Sequence, residues 1–174
     1  MRDAASACEP QARLTRWVEE HGPAVFGYLL HLVRNRHLAE DLLQEVFCRA
    51  WTARSRYAEQ GKARAYLLRI ADRLGRLHRR RAACDRTLTS TLPDELAGGE
   101  SPLRQLEQEE CRRQLDEALS MLSEAQRRTL LLRFYGDLEF SEIAAILGCP
   151  LNTALSHAHR GLRKLREVLS ERPV

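Results

Sequence analysis

The most informative segment of the chain runs from Ser141 to Arg166 and reads SEIAAILGCPLNTALSHAHRGLRKLR. Its first residues carry apolar side chains at helical spacing, and Gly148-Cys149-Pro150 then interrupts the pattern. Glycine readily ends helices, and proline is tolerated where a helix begins. The spacing therefore predicts a short helix capped by Ser141, a tight turn, and a second helix from about Leu151 to Leu169. Two helices joined by such a turn form a helix-turn-helix.

The second helix of this motif has a composition suited to duplex DNA. An α-helix fits the major groove, where its first residues meet base edges and later cations meet phosphates. The candidate base-reading residues are Asn152, Thr153, Ser156, His157 and His159, and the candidate phosphate contacts are Arg160, Arg163 and Lys164. Leu155 and Leu162, with Leu165 near them, are expected to face the core. An ordinary helical hairpin without a DNA role is the alternative interpretation.

Helical periodicity also extends from about Leu14 to Arg81, and strand-like alternation is essentially absent. One apolar stripe is expected to start after Gly22-Pro23. Ala39-Glu40-Asp41 is expected to place acids in the first turn of the next helix, which runs through Trp51. A further helix carries an apolar side made of Ala65, Tyr66, Leu67, Ile70, Ala71, Leu74 and Leu77. The whole chain is predicted to be all-α.

The middle of the chain has loop chemistry instead of packing periodicity. Residues 87–102 contain Pro93, Gly98-Gly99 and Ser101-Pro102. Beyond them, Ser123 is expected to cap a helix that Gly136 ends. The prediction is two small helical domains, residues 13–86 and 103–174, joined by a flexible linker at 87–102.

Charge is strongly segregated although the formal net charge is only +4. Residues 61–86 carry +7, residues 87–124 carry −6, and residues 151–174 carry +3. Two cationic surfaces separated by an anionic connector suit two contacts with a polyanion.

The first basic segment, Ala63–Arg81, combines arginines with aromatic rings. Tyr66 lies inside it, and Tyr57 and Trp51 lie nearby. Cations that follow a backbone, together with rings on which bases stack, suit unpaired or melting DNA. The alternative is that the rings are core residues, which is favoured for Trp51 and evenly balanced for the two tyrosines.

Other classes of protein find little support in the composition. No apolar run suggests a membrane span, and residues 1–10 do not resemble a signal peptide, so a cytoplasmic protein without membrane insertion is expected. The five cysteines are scattered, which favours incidental thiols over disulfides or zinc, although a sensor role for Cys84 or Cys111 stays open. His157 and His159 point to different sides of a helix, so no metal is expected there. Without a P-loop, HExxH or clustered carboxylates, neither an enzyme nor a cofactor is predicted.

Several of these motifs together resemble one protein family. Residues 39–51 read AEDLLQEVFCRAW, residues 65–71 read AYLLRIA, and residues 122–127 read LSEAQR. Glu142-Ile143-Ala144 and Thr153-Ala154-Leu155-Ser156 follow in the same order. This combination resembles the bacterial sigma factors of the extracytoplasmic-function type, which keep only regions 2 and 4. The similarity covers nearly the whole chain outside residues 1–12 and the linker.

The resemblance implies a specificity subunit of core RNA polymerase that recognises two promoter elements and assists strand opening. It assigns contacts with the polymerase clamp to Asp41, Leu42, Gln44 and Glu45. It assigns the minus-ten element to Tyr57, Arg64, Tyr66, Arg69, Arg73, Arg76 and Arg80. It assigns the minus-thirty-five element to the last helix, through Asn152, Thr153, Ser156, His157, His159, Arg160 and Lys164.

The chain departs from the family pattern at DNA-facing positions. The family usually has tryptophan at the position of Tyr66, and often has asparagine at Arg73 and aspartate at Leu77. Its usual Ser-Arg pair is Ser156-His157 here. These changes leave the promoter sequence open. An anti-sigma partner is expected, and a stand-alone helix-turn-helix regulator is the alternative function.

Overall fold

The computed structural model describes residues 3–54, 61–84 and 102–170, and within these ranges α-helix is the only regular secondary structure. The helices are α1 Asp3–Val33, α2 Arg36–Thr52, α3 Ala63–Cys84, α4 Pro102–Ser120, α5 Glu124–Phe134, α6 Phe140–Leu147 and α7 Leu151–Ser170. The all-α prediction is confirmed. The predicted linker (except Pro102) and Tyr57 lie outside the described residues. Within those ranges no helix combines the length and hydropathy that a bilayer span requires.

Helices α1 to α3 pack together and form what we call the first unit. Contrary to the expected break at Gly22-Pro23, α1 continues through both residues. Apolar residues on both sides of Pro23 bury in the same core, with Trp17 before it and Val25 and Tyr28 after it. Packing of both halves against one core therefore outweighs the local cost of proline.

The start of α2 also differs from the prediction. Asn35 is its N-cap, and the side-chain oxygen of Asn35 accepts the N–H of Leu38 at 2.9 Å. The helix thus begins at Arg36, and its first turn holds no acid. A dedicated capping side chain sets the boundary here, because it satisfies the backbone N–H of Leu38 in the first turn.

Helices α4 to α7 form the second unit. Of the two N-caps predicted there, the one of α5 is confirmed and the one of α6 is wrong. Ser123 caps α5 as expected, in a reciprocal pair with Gln126. Ser141 does not cap α6, because the helix begins one residue earlier, at Phe140. The N–H of Glu139 instead donates to Oε2 of Glu142 at 3.1 Å.

Gly148 ends α6 with a left-handed φ of 68°, and α7 follows at Leu151. The turn of the predicted helix-turn-helix is therefore present. The buried side of α7 consists of Ala154, Ala158 and Gly161. Of the three leucines expected to face the core, Leu165 alone packs against it, half-buried. Leu155 and Leu162 are 41% and 44% exposed. Small residues occupy these positions because α5 lies very close. A Cβ on Gly161 would be 3.0 Å from Leu130 Cδ1.

The two units pack against each other along an interface that we call the seam. Helices α1 and α3 of the first unit contact α5 and α6 of the second, and buried residues of both units form one continuous apolar core. The approach is close: a Cβ on Gly27 would lie 2.7 Å from Tyr135 Cδ1.

Candidate nucleic-acid interface

The predicted reading residues of α7 lie outside the core of the second unit. Thr153, Ser156 and His157 are half-buried, and the side chains that follow, Arg160 and Lys164, are exposed. Their i, i+3, i+4, i+7, i+11 spacing places all five on one side of a helix with 3.6 residues per turn. Asn152 and His159 are exposed at the edge of this side. The arrangement presents polar groups first and cations behind them, as a major-groove helix requires.

The arginines of α3 divide into two sets in the structure. Arg69, Arg73 and Arg80 are exposed and form a row along one side of the helix. Arg64 and Arg76 instead turn toward acids of the second unit: Arg64 lies 3.7 Å from Asp137, and Arg76 lies 3.6 Å from Glu124.

The apolar side of α3 is narrower than the sequence indicated. Leu77, expected on the buried side, is 42% exposed. It lies on the side of α3 that carries the exposed arginines, four residues after Arg73.

The aromatic rings near α3 take different environments. Tyr66 is half-buried, its ring centroid 6.3 Å from that of Trp17, and burial raises the pKa of its hydroxyl. Trp51 is half-buried instead of belonging to the core, with the Arg54 guanidinium 4.3 Å from its ring centroid. Tyr66 therefore packs against the core and stays partly exposed.

The predicted polymerase-binding residues lie on α2 but not all on its surface. Asp41 and Gln44 are exposed, and Glu45 is half-buried and paired with Arg49 at 2.6 Å. Leu42 is a correction: it is 3% exposed and belongs to the core. It supports the outward face of α2 from beneath, and a direct contact with another protein is not available to it.

A buried ionic group that the sequence motifs did not predict lies in the seam. Arg128 on α5 donates from Nε to Oδ1 of Asp72 at 2.6 Å and from Nη2 to Oδ2 at 2.7 Å. Tyr28 on α1 donates its hydroxyl to Oδ1 of Asp72 at 2.7 Å. The signal in the sequence was an acid in register with Leu68 and Gly75 on the apolar side of an arginine-rich helix.

The electrostatics of this group follow from its burial. Burial and the neighbouring charge of Asp72 raise the pKa of the Tyr28 hydroxyl well above its usual value. For Arg128, burial opposes the charged form, but the hydrogen bonds and charge of Asp72 outweigh it and raise the pKa. All three side chains are almost fully removed from solvent. The carboxylate thus holds a cation of the other unit in a water-excluded position.

A second polar group crosses the seam beside it. Nδ1 of His31 lies 2.9 Å from Oδ1 of Asp116, and its Nε2 is hydrogen-bonded to the Tyr135 hydroxyl. Burial, and then the charge of Asp116, raise the pKa of Tyr135. This group joins α1 and α4 to Tyr135, the C-cap of α5.

The described residues contain no set of three metal-ligating side chains in one place. Cys48 and Cys111 are exposed single thiols, and Cys149 is half-buried.

Comparison with known families and proteins assigns both units. The sequence matches the family models Sigma-70 region 2 over residues 17–83 and Sigma-70, region 4 over residues 112–165. It is 36% identical over 156 residues to the RNA polymerase sigma factor CarQ of Myxococcus xanthus, covering 87% of this chain and 86% of CarQ. It is 26% identical over 168 residues to the ECF RNA polymerase sigma factor SigK of Mycobacterium tuberculosis, covering 91% of this chain and 87% of SigK.

Solved structures share the fold. The sigma factor RpoE from Bartonella quintana, crystallised with the anti-sigma factor NepR, matches with a TM-score of 0.73 at 23% identity, over 90% of this chain and 96% of that one. CnrH, solved with the cytosolic domain of CnrY, matches with a TM-score of 0.69 at 21% identity, over 94% and 91% of the two chains.

A helix-turn-helix unit joined to a helical bundle with an arginine-lined helix defines a DNA-directed initiation factor. The chain belongs to the RNA polymerase sigma factors of the extracytoplasmic-function type. A stand-alone regulator is not favoured, because it would leave the region 2 match unexplained. Sigma factors are a non-enzymatic class of transcription initiation factors.

Proposed function

We propose that this sigma factor attaches to core RNA polymerase through the outward face of α2. The face is formed by Asp41, Gln44 and Glu45, while Leu42 anchors it in the core. The observation that carries the proposal is the presence, on one chain and in family order, of this polar face, the arginine row of α3 and the polar side of α7. We also propose that the protein works in the cytoplasm, where polymerase and promoter DNA are found.

In this proposal α3 serves the minus-ten element. Arg69, Arg73 and Arg80 already face outward and can follow the phosphates of a separating strand. Arg64, Arg76 and Tyr66, with Tyr57 from outside the described residues, would complete the surface. Arg64 and Arg76 would exchange Asp137 and Glu124 for the DNA phosphates.

Helix α7 would enter the major groove of the minus-thirty-five element. Thr153, Ser156 and His157, with Asn152 and His159 at the edge, would meet base edges. Arg160 and Lys164 would neutralise phosphates.

The spacing of the two elements requires the two units to separate. Elements 25 base pairs apart lie about 85 Å from each other on duplex DNA. A compact chain of this length is only about 40 Å across. We therefore propose that the predicted domains, residues 13–86 and 103–174, move apart on the promoter while residues 87–102 connect them.

An anti-sigma partner is also proposed. RpoE was solved with the anti-sigma factor NepR, and CnrH was solved with the cytosolic domain of CnrY. The basic surfaces of α3 and α7 would otherwise bind DNA non-specifically in a salt-dependent way. Co-purification from native lysate should recover a protein beyond the polymerase subunits, and recovery of polymerase subunits alone would count against this partner.

Binding to core polymerase and promoter-directed transcription test the main proposal. The tagged chain should retain core polymerase in a pull-down and direct run-off transcription from a subset of a genomic promoter library. Asp41→Lys should weaken retention by about tenfold or more, because it reverses the charge of a side chain proposed to face the polymerase. Glu19→Lys, an equal change at an exposed site on α1, is the matched control. If the unmodified chain retained no core polymerase, the proposed function would be wrong.

A further inference from the structure

Three arginines meet beside the buried ion pair of the seam. Arg34 lies between α1 and α2, Arg79 lies on α3, and Arg127 lies on α5. Nε of Arg34, Nη1 of Arg79 and Nε of Arg127 are all buried and have no hydrogen-bond partner. Arg127 is only 7% exposed. The cluster therefore draws its members from both units and leaves a buried donor on each of them.

The positive charge of this cluster is not balanced. Burial lowers the pKa of Arg127, and the charges of Arg79 and then Arg34 lower it further, so both neighbours are near enough to repel the Arg127 guanidinium. Glu124 acts in the opposite direction, but it is half-exposed and lies 3.6 Å from Arg76. The next residue of α5, Arg128, differs from Arg127 because it donates two hydrogen bonds to the carboxylate of Asp72.

The chemistry of the cluster indicates what would complete it. Buried cations without a partner are unfavourable. The planar guanidinium group pairs best with carboxylate and phosphate oxygens. Arg34 and Arg79 are half-buried, so solvent reaches the rim, whereas Arg127 lies too deep for the backbone of a duplex. A small anion with several oxygens fits these conditions.

We propose that Arg34, Arg79 and Arg127 form a binding site for a small phosphate-bearing anion in the seam. Such a ligand touches both units at once, so its binding stabilises their packed arrangement over the separated one. The ligand would thereby oppose the separation that promoter recognition requires. This consequence rests on the proposed function; the binding site itself does not.

Ligand-dependent unfolding of the full-length chain tests the site. The thermal midpoint is followed while inorganic phosphate or pyrophosphate replaces chloride at constant ionic strength, and calorimetric titration gives the affinity. We expect saturable stabilisation by phosphate or pyrophosphate. Arg34→Gln and Arg79→Gln should each weaken binding by about tenfold, the value of one charge-assisted hydrogen bond. Guanosine diphosphate binding more tightly than pyrophosphate would identify a nucleotide as the source of the phosphate; the reverse order would identify a free phosphate.

Arg113→Gln is the matched control, because it removes one positive charge from an exposed site on α4. The proposal is overturned if phosphate has no saturable effect or if Arg34→Gln and Arg79→Gln bind phosphate as tightly as the control does. It is also overturned if Arg34 and Arg79 affect the binding of duplex DNA but not of phosphate. Arg34 and Arg79 are chosen because they are half-buried, and circular dichroism verifies that each variant folds. Loss of phosphate binding would leave polymerase retention intact, whereas phosphate binding without polymerase retention would reject the proposed function alone.

Discussion

At the scale of single residues, the Asp72 carboxylate accepts three hydrogen bonds from two other helices. Two come from Arg128 and one from Tyr28, and all three side chains are excluded from water. In such a setting the ion pair of Asp72 and Arg128 is not equivalent to a surface pair. Removing either of these two charges leaves the other buried and uncompensated.

Replacement of Asp72 by alanine should therefore lower the free energy of unfolding by about 3–5 kcal/mol. Urea denaturation monitored by circular dichroism measures this change. The matched control is Glu167→Gln, which breaks an exposed pair with Arg163 and should cost less than about 1 kcal/mol. Adding Arg128→Met to Asp72→Ala should recover much of the loss. If Asp72→Ala and Glu167→Gln lowered the free energy of unfolding by the same small amount, the buried pair would not be important for stability.

The raised pKa of Tyr28 predicts an alkaline loss of stability. The folded state keeps the Tyr28 proton more tightly than the unfolded state does, so its contribution is complete below about pH 10 and declines as pH rises above it. The expected slope from this residue is about 1.4 kcal/mol per pH unit. Urea titrations from pH 8 to 11 should show a shallower decline in Tyr28→Phe than in the unmodified chain. Parallel curves would show that Tyr28 does not cause it.

At the scale of elements, α1 contains two glycines with opposite surroundings. Gly27 faces the Tyr135 ring across the seam, whereas a Cβ at Gly22 would meet nothing within 4 Å. The same substitution at the two sites therefore separates helix propensity from packing between the units.

Gly27→Ala should destabilise the protein by about 1–3 kcal/mol, because the added methyl group forces the Tyr135 ring away. Gly22→Ala should be neutral or stabilise it by up to about 1 kcal/mol, because alanine favours the helix. Urea midpoints and slopes for the two variants provide the measurement. Stabilisation by Gly27→Ala would mean that the seam is looser than described.

Helix α7 carries a second prediction at this scale. Arg160 is exposed on the side proposed to meet DNA. Arg160→Gln should reduce the slope of log affinity against log salt concentration by about 0.9, since one phosphate contact is lost. Fluorescence anisotropy with duplex promoter DNA gives the slope, and Arg113→Gln on α4 should leave it unchanged. An unaltered slope in Arg160→Gln would exclude the phosphate contact.

At the scale of the whole molecule, the seam places the two units in one body. Its buried ion pair and the His31 group join helices distant in sequence, and Arg64 and Arg76 face acids across it. The packed arrangement thus occupies part of the surface proposed for the minus-ten element.

Fluorescence energy transfer should report separation of the units. One dye is placed at exposed Cys111 on α4 and the other at Val18→Cys on α1, with the remaining cysteines changed to serine. The distance should rise from roughly 40 Å or less in the free chain to roughly 80 Å on core polymerase with promoter DNA. The labelled chain must still support run-off transcription. An unchanged distance in an active complex would rule out separation.

Local signals located most helices but not every boundary. The apolar spacing and Ser123 placed α5 correctly, because a cap and a helical period act over a few residues. The start of α6 was misplaced, since Glu139 and Ser141 are both competent near a helix start and only the folded backbone selects between them. Leu155 and Leu162 were assigned to the core because periodicity marks an apolar side without saying which neighbour covers it.

The sequence by itself determined the helical class, the helix-turn-helix and the polar sides of α2, α3 and α7, because each depends on a pattern that repeats every few residues. Only the tertiary structure decided which of these side chains are free. It buried Leu42, turned Arg64 and Arg76 toward the second unit, and joined Asp72 to Arg128 across 56 positions. Such contacts depend on how the units pack, and no local periodicity encodes the partner of a charge so far along the chain.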